Sequence, residues 1–529
     1  MNIQTVKWTT SYPVFTILSK TTAIMINVEY LYKSEVEYEH RKRFGQFYTP
    51  QVIAKFMVSW LLEKKPKKIL DPAFGLGAFY FASKELGYDA IFEGYEIDKK
   101  SYDFFNLNFC AKNLNIKNND YFADWSNSYD AIICNPPYLK FQNFSSRDKI
   151  LTGLGKIYDE KISGYTNIAS AFLLKSVYEL KQGGRLAYIM PVEFLNTGYG
   201  NVIKKILLDN GRIYNILRIE DESSAFPEVI TTVCIIFFEK GGYSNLLRFS
   251  SINDINLLGD YEKNGITREV KFSEKWLPYF DNKFSIKTNS DLVKLKEYGV
   301  FKRGIATGAN EFFSLSMEKI KSIGLKDNEY VKCITKSNQI KSSFFTDGDF
   351  ENLKKKNNNI FLLNIDGENI SHAVREYLDY GVKCEYNKRY LTKNRNIWYK
   401  LEKRTPAPIL FGVFSRGNYK IIRNFTSALN LTCFHGFVPN KNCEEYIDKI
   451  FIFLKSNSGN RSIYLNRRIY GKSLNKFEPS DIGEILVPSK KFFNNIDEKF
   501  VINEINYLMK YGVVSDYANK IFDSLCKNA

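Results

Sequence analysis

Residues Tyr129 to Tyr138 read Y-D-A-I-I-C-N-P-P-Y. From Asn135 onward this stretch offers an amide, the tertiary peptide groups of Pro136 and Pro137, and the ring of Tyr138. No carboxylate, His, Cys or Ser stands in that turn as a nucleophile, so it is poorly equipped for hydrolysis. It suits a planar amino group instead. The Asn135 side-chain carbonyl and the Pro136 backbone carbonyl can each accept one hydrogen of an NH2 while Tyr138 lies against the attached π-system. Two acceptors set out of the amine's plane draw its lone pair out of conjugation and aim it at an electrophile. A Pro-Pro turn after a strand is by itself only a loop, so the surrounding elements must decide.

Ala131 to Cys134 is a short apolar run suited to one buried strand, and Pro136 and Pro137 end its ladder because neither has an NH to donate. Upstream, Gly45-Gln46-Phe47-Tyr48-Thr49-Pro50 opens a helix, with Thr49 as its cap, Pro50 at its first position, and Ile53, Phe56, Met57 and Trp60 on one face. Exposed NH groups at such a helix start also make a site for a carboxylate. Lys68 to Leu70 reads as a strand running into Asp71-Pro72-Ala73-Phe74-Gly75-Leu76-Gly77, followed by a helix to about Leu86. Glycines between strand and helix let a ligand approach the backbone closely, but the spacing is not G-x-G-x-x-G, which disfavours nicotinamide binding. A second strand, Ala90 to Tyr95, ends at Glu96, placed to accept both hydroxyls of a ribose; Asp98 reads as the cap of the next helix. A third short strand near Lys117 ends at Asp120 and Tyr121, a carboxylate and a ring suited to the amino group and face of an adenine; Asp124 and Trp125 are the competing pair.

Beyond the turn the sequence predicts a polar, mobile loop over Lys140 to Gly164, a helix from Asn167 to Lys181 stopped by Gly183-Gly184, a strand at Arg185 to Met190, a helix at 199–209, and strands at 211–219 and Thr231 to Phe238. The alternation of seven strands with helices implies a doubly wound α/β sheet to about residue 240. Phe226, just before Pro227, is expected in an extended turn with an exposed ring, stacking on substrate or simply packing.

With 529 residues the chain has room for two or three domains, and a formal charge of +17 favours an anionic partner such as nucleic acid or a membrane surface. Eight Cys show no C-x-x-C pairing and three His are scattered, which points to reduced, cytoplasmic thiols and no metal site. No run of 18 apolar residues occurs, so no membrane partner is expected. Lys20 interrupts an apolar start that resembles a signal peptide poorly, and Met25 is an alternative first residue.

Taken together these residues resemble the adenine-specific amino-methyltransferases of DNA, in particular the γ-class, TaqI-type group. The resemblance covers residues 44–240 in motif order and continues more loosely to the end of the chain. Asn135-Pro136-Pro137-Tyr138 is similar to that family's catalytic tetrapeptide, Asp71-Pro72-Ala73-x-Gly75-x-Gly77 to its S-adenosylmethionine loop, and Thr49-Pro50 to the N-terminal motif holding the methionine end of the cofactor. The resemblance implies Glu96 as the ribose acid, Asp120 and Tyr121 as the adenine pair, and Phe226 as the ring against the outer face of a flipped base. It implies a class I methyltransferase fold, with an N-terminal helical extension (1–43), a catalytic domain (44–240), a connector (241–280) and an α+β target-recognition domain (281–529). The implied partner is double-stranded DNA, with a separate restriction endonuclease as a possible cognate and the chain itself a monomer.

In the second half, residues 381–424 carry eleven Lys/Arg against two acids, interleaved with Tyr386, Tyr390, Trp398, Tyr399, Phe411, Phe414 and Tyr419, a mix suited to phosphates and bases. Phe301 to Asn310 and Tyr464 to Ile482 resemble the repeating pattern of the family's target-recognition domains. Competing readings are an RNA adenine-N6 methyltransferase, a protein-glutamine methyltransferase, which shares the tetrapeptide but needs no basic C-terminal domain, and a DNA specificity subunit with an inert methylase-like domain.

Overall fold

A computed structural model describes residues 20–109, 111–125, 127–139, 146–220, 232–261, 263, 265–280, 291–365, 370–415, 417–470 and 474–527. The chain divides into two units, residues 1–283 with 469–472, and residues 284–468 with 473–529.

The first unit is built on a nine-stranded sheet: β1 (Lys68–Asp71), β2 (Ile91–Tyr95), β3 (Leu114–Lys117), β4 (Tyr129–Cys134), β5 (Leu180–Pro191), β6 (Gly211–Ile219), β7 (Val233–Ser244), β8 (Leu246–Ile252) and β9 (Ile266–Glu269), in the order β3-β2-β1-β4-β5-β7-β6-β8-β9. β3, β2, β1, β4 and β5 pair in parallel. β7 runs antiparallel between β5 and β6. Strand order reverses between β1 and β4, and in open α/β sheets the crevice at such a switch point receives the ligand. Asp71 ends β1 and Asn135 follows β4, so both flank it.

The strands are apolar on both faces because helices cover both. Ile132 and Cys134 enter one core with Leu186, Tyr188 and Met190, while Ala131 and Ile133 enter the other with Ala187 and Ile189. The second core is closed by α3 (Gln51–Leu62), α4 (Ala78–Glu85) and α5 (Lys99–Asn108). The expected face of α3 holds, with Ile53, Met57 and Trp60 buried and Phe56 packed alongside. The first core is closed by α6 (Arg147–Tyr158), α7 (Ile168–Glu179) and α8 (Gly198–Asn210). Ahead of the sheet come α1 (Lys20–Glu35) and α2 (Tyr38–Phe44); Val28 and Tyr32 of α1, with Val36 between the two helices, pack against Leu76 of the glycine loop.

Four expectations change. The stretch read as a polar loop, 140–164, contains α6, whose Ile150, Leu151 and Leu154 are buried. The helix read to Lys181 ends at Glu179, and Gly183-Gly184 lie inside β5 rather than at a helix stop. Gly183 has φ +75°, a Cβ on Gly184 would sit 2.8 Å from the Asp130 carbonyl oxygen, and the β4–β5 register shifts there, so the pair makes a bulge. The sheet has nine strands, not seven. Residues 241–280 accordingly supply β8 and β9 to the catalytic sheet instead of acting as a connector, and Trp276, wholly buried, joins the first core.

The second unit is α+β. Its main sheet orders Gly299–Arg303, Phe434–Pro439, Ile409–Gly412, Ile421–Asn424 and Phe344–Phe345, and a four-stranded sheet includes Tyr330–Ile334 and Phe361–Leu363. Helices Ile447–Lys455, Asn457–Asn466, Glu498–Tyr511 and Asp516–Lys527 contribute to one of its cores. No described helix is long and apolar enough to cross a membrane.

Candidate active site

Asn135 leaves β4 half-buried, and its amide is fixed by three bonds. Nδ2 donates to the Phe47 carbonyl oxygen at 3.1 Å and to Thr49 Oγ1 at 3.1 Å, while Oδ1 accepts from the Tyr138 hydroxyl at 3.1 Å. Both amide hydrogens are therefore spent on the protein. An amide oxygen has two lone pairs, so Oδ1 keeps one for an incoming donor. Thr49 is not the helix cap expected of it: the cap is Pro50, whose carbonyl accepts from Ala54 N at 2.9 Å, and the Thr49 hydroxyl is turned instead to Asn135. The reason is local, since Pro50 takes ψ 141° and starts the helix one residue later.

The turn after Asn135 is braced by Gly45, the C-cap of α2. Gly45 has φ +64°, and a Cβ there would sit 2.9 Å from Leu139 Cγ and 3.3 Å from Pro137 Cβ. Both the left-handed backbone and the close approach require glycine. Pro136 is buried, whereas Pro137 and Tyr138 are half-buried, with the Phe47 ring 5.9 Å from that of Tyr138.

Asp71 is wholly buried at the end of β1. Its Oδ1 accepts from Ala73 N at 3.2 Å; Oδ2 is buried without a hydrogen-bond partner among the described residues. Burial pushes its pKa up to about 8, partly opposed by the Ala73 NH. Gly75 and Gly77 take φ +55° and +77°, conformations that L-residues avoid. Glu96 closes this loop onto the end of β2: Oε2 accepts from Gly75 N at 2.9 Å and Oε1 from Asp98 N at 2.8 Å. Burial raises Glu96 to about 7 against the pull of those NH groups. Asp98 does cap α5, accepting from Lys100 N through Oδ1. Its Oδ2 gathers Tyr32 Oη at 3.1 Å, His40 Nε2 at 2.9 Å and Gln46 Nε2 at 2.8 Å, so one carboxylate ties α1, α2 and the segment leading to Thr49 to the carboxyl edge of the sheet.

One cleft is lined by Phe47, Thr49, Asp71, Ala73, Gly75 and Asn135, joining residues that the sequence separates by up to 88 positions. Phe47, Tyr48 and Glu29 of α1 also line it and were not anticipated. The first two adjoin Thr49 within one motif, but Glu29 carries no sequence signal. The Tyr48 hydroxyl, like Asp71 Oδ2, is buried without a hydrogen-bond partner among the described residues.

Asp120 caps the short 3-10 turn Tyr121–Ala123, its Oδ1 accepting from Phe122 N at 2.9 Å. Tyr121 departs from expectation. Its ring is 2% exposed, its hydroxyl donates to Glu179 Oε2 at 2.7 Å, and the Lys175 ammonium lies 3.5 Å from its ring centroid. That ring belongs to the core under α7 and has no free face for a base. The rival pair is occupied as well, with the Trp125 indole donating to the Phe122 carbonyl at 2.7 Å and Asp124 Oδ2 accepting from Asn127 at 2.8 Å. Phe226 lies outside the described residues.

Residues 28–299 match the family model described as N-6 DNA Methylase, and residues 275–524 match that of the C-terminal domain of the Type II methyltransferase M.Eco57I. The chain is 36% identical over 485 residues to the Type II methyltransferase M.AccI of Acinetobacter calcoaceticus, covering 88% of this chain and 89% of that one. It is 25% identical over 469 residues to M.XamI of Xanthomonas campestris pv. amaranthicola, covering 84% and 85%. Among solved structures, the DNA complex of the Type IIL restriction-modification enzyme MmeI aligns with a TM-score of 0.55 at 13% identity, over 96% of this chain and 75% of that one, a likeness of fold. An amide turn with one open acceptor at the switch point of a doubly wound sheet agrees with these matches: the chain belongs to the N-6 DNA methylase family and is an adenine-specific DNA methyltransferase of the Type II restriction-modification kind.

Proposed function

We propose that the enzyme takes its methyl group from S-adenosylmethionine and delivers it to N6 of an adenine turned out of a specific double-stranded DNA sequence. The observation that carries this reading is the Asn135 amide, held by Phe47 and Thr49 so that an oxygen lone pair remains for an amine donor beside the Asp71 cleft. The cleft fits the donor on its own chemistry. Asp71 Oδ2 is a buried acceptor lacking a partner among the described residues, suited to an ammonium, and Glu96, fixed at the end of β2 by the Gly75 and Asp98 NH groups, is the acceptor for ribose hydroxyls. When bound, the donor supplies a methyl carbon already activated by a positively charged sulfur.

The chain's own residues then have little acid-base work. Asn135 Oδ1 and the Pro136 carbonyl accept the two N6 hydrogens, freeing the nitrogen lone pair from the ring and stabilising positive charge as it grows on N6. The N6–CH3 bond forms as the S–CH3 bond breaks, and the surplus N6 proton passes to water. Tyr138 holds the base by its face, and Phe226 is assigned the opposite face. Thr49 and Asp71 keep the reacting atoms in line, a matter of position more than of proton transfer. Extruding a base costs about a few kcal/mol, which contacts between the basic C-terminal unit and DNA phosphates offset. Asp120 is the acceptor for the donor's adenine amino group.

The test is transfer of labelled methyl from S-adenosylmethionine to DNA, followed by methylation-sensitive sequencing. N6-methyladenine at one short sequence is the expected outcome. Label appearing in RNA or protein and not in DNA would overturn the reading.

A further inference from the structure

The second unit contains a cavity of about 360 Å3 whose charged walls are all lysine: Lys341, Lys420 and Lys455, with no carboxylate among the lining residues. They come from separate elements, Lys341 ahead of the Phe344–Phe345 strand, Lys420 ahead of the Ile421–Asn424 strand, and Lys455 at the end of the Ile447–Lys455 helix. Phe344 and Leu508 supply apolar wall. Lys420 is held in place, its ammonium donating to the backbone carbonyls of Ser337 and Ile340. That leaves one hydrogen of its three, and no carboxylate is paired with it among the described residues. Lys455 is half-buried and likewise forms no ion pair there. Burial lowers the pKa of both Lys420 and Lys455; the Cys433 thiol opposes the shift at Lys420, and no carboxylate opposes it at either.

Sequestered ammonium groups without a counter-charge are costly, and an anion from solution is the direct remedy. Lysines recognise phosphate as point charges. The volume lies in the range of small-ligand sites, larger than a bare phosphate needs, and the apolar wall suits the remainder of an ester. We propose that this cavity is a phosphate site that accepts the phosphate group of a nucleotide, as a phosphodiester within a DNA strand or as a free mononucleotide. The proposal is independent of the methyl-transfer site: none of its residues lines the Asp71 cleft.

The test uses the full chain and the double variant Lys341→Gln, Lys455→Gln, leaving Lys420 to its backbone carbonyls. The probes are a duplex oligonucleotide, titrated by fluorescence anisotropy across salt concentrations, and AMP, titrated by calorimetry. If the site holds a DNA phosphodiester, duplex affinity falls about tenfold for any sequence and the log-log salt slope becomes shallower by about 1 to 2. If it holds a free nucleotide, the unaltered enzyme binds AMP, the variant loses that binding, and duplex titrations coincide. Equal duplex titrations together with no difference in AMP binding overturn the proposal. Should the double variant fail to fold, Lys341→Glu, on the exposed rim, is read in the same two titrations with the same criteria.

Discussion

At the scale of single residues, the central feature is that Asn135 spends both amide hydrogens on the protein while its oxygen, accepting from the Tyr138 hydroxyl, keeps one lone pair open. Thr49→Val removes one of the two acceptors that enforce this, so the amide gains a second orientation. A lost hydrogen bond of about 1 kcal/mol predicts a kcat roughly 5-fold lower, with donor affinity changed less and activity largely restored by Thr49→Ser. Asn135→Ala removes the acceptor itself and is expected to cut kcat by about 10² to 10³ or more while calorimetry still finds the donor bound. Loss of donor binding in that variant would show that Asn135 holds the donor and not the adenine. Asp71 adds a pH prediction. In the free enzyme burial raises its pKa to about 8, so at pH 6 it is protonated and cannot neutralise an ammonium. Donor binding should therefore tighten as pH rises toward 8, then weaken as the donor's own α-amino group, with a pKa of about 8, loses its proton. Asp71→Asn should flatten the acidic limb of that profile in a calorimetric titration. The same raised pKa means that without ligand Asp71 contributes stability below the unfolded carboxylate range and loses it as pH climbs through about 8. The placement of Asn135 and Asp71 beside the switch point could be read from the chain because strand ends and glycine turns fix where such side chains emerge. Tyr121 could not. Its direction is set by Glu179, 58 residues away, and residue type alone does not say which side of a turn a ring takes.

At the scale of elements, the site depends on how α1, α2 and the 45–50 segment are pressed onto the sheet. Asp98 gathers Tyr32, His40 and Gln46 from one side, and Gly45 lies against Leu139 and Pro137 from the other. Gly45→Ala meets both a positive φ and a Cβ contact of 2.9 Å. Left-handed strain at a non-glycine residue costs about 1–2 kcal/mol, and relief requires Leu139 or the turn to move. The expected result is a melting temperature lower by a few degrees and a kcat loss larger than that of Gly87→Ala, at a positive-φ glycine with nothing near its Cβ position. Equal kcat in the two variants would mean that the brace does not reach the catalytic turn. Elements are hidden in the sequence where polar residues interrupt an apolar pattern. In α6 the buried Ile150, Leu151 and Leu154 are spread through lysines and glycines, and in 381–424 much of the expected nucleic-acid surface is structural. Phe411 is buried, Arg423 pairs with Asp448 at 2.6 Å, Arg389 pairs with Glu311 at 2.6 Å, and Arg395 donates to the Ala306 carbonyl; Tyr390 and Phe414 remain exposed.

At the scale of the molecule, the position of the boundary after the catalytic sheet decides what a fragment can do. The alternation of strands and helices ends near residue 240, and the sequence beyond it, Leu246 to Ile252, mixes Arg248, Ser250 and Ser251 with apolar residues in a way that hides a strand. The polarity is accommodated inside: Asn215 of β6 donates to the buried Ser250 hydroxyl of β8 at 3.0 Å. β8 covers the β6 edge from Asn215 to Ile219, and behind it Leu247, Phe249, Trp276 and Leu277 are buried with Phe280. Lys204 of α8 ties that last stretch down through the Leu195 and Glu274 carbonyls. Five large apolar side chains at about 2 kcal/mol each come to roughly 10 kcal/mol, comparable with the whole stability of an ordinary domain at about 5–15 kcal/mol. A fragment of residues 1–240 is therefore expected to aggregate or to bind a hydrophobic dye without a cooperative melt. A fragment of residues 1–283 should melt cooperatively and bind S-adenosylmethionine, yet lack the salt-sensitive DNA affinity of the full chain. Cooperative melting of the shorter fragment would show that β8 and β9 are dispensable, and full duplex affinity in the longer one would show that the basic second unit is not what holds DNA.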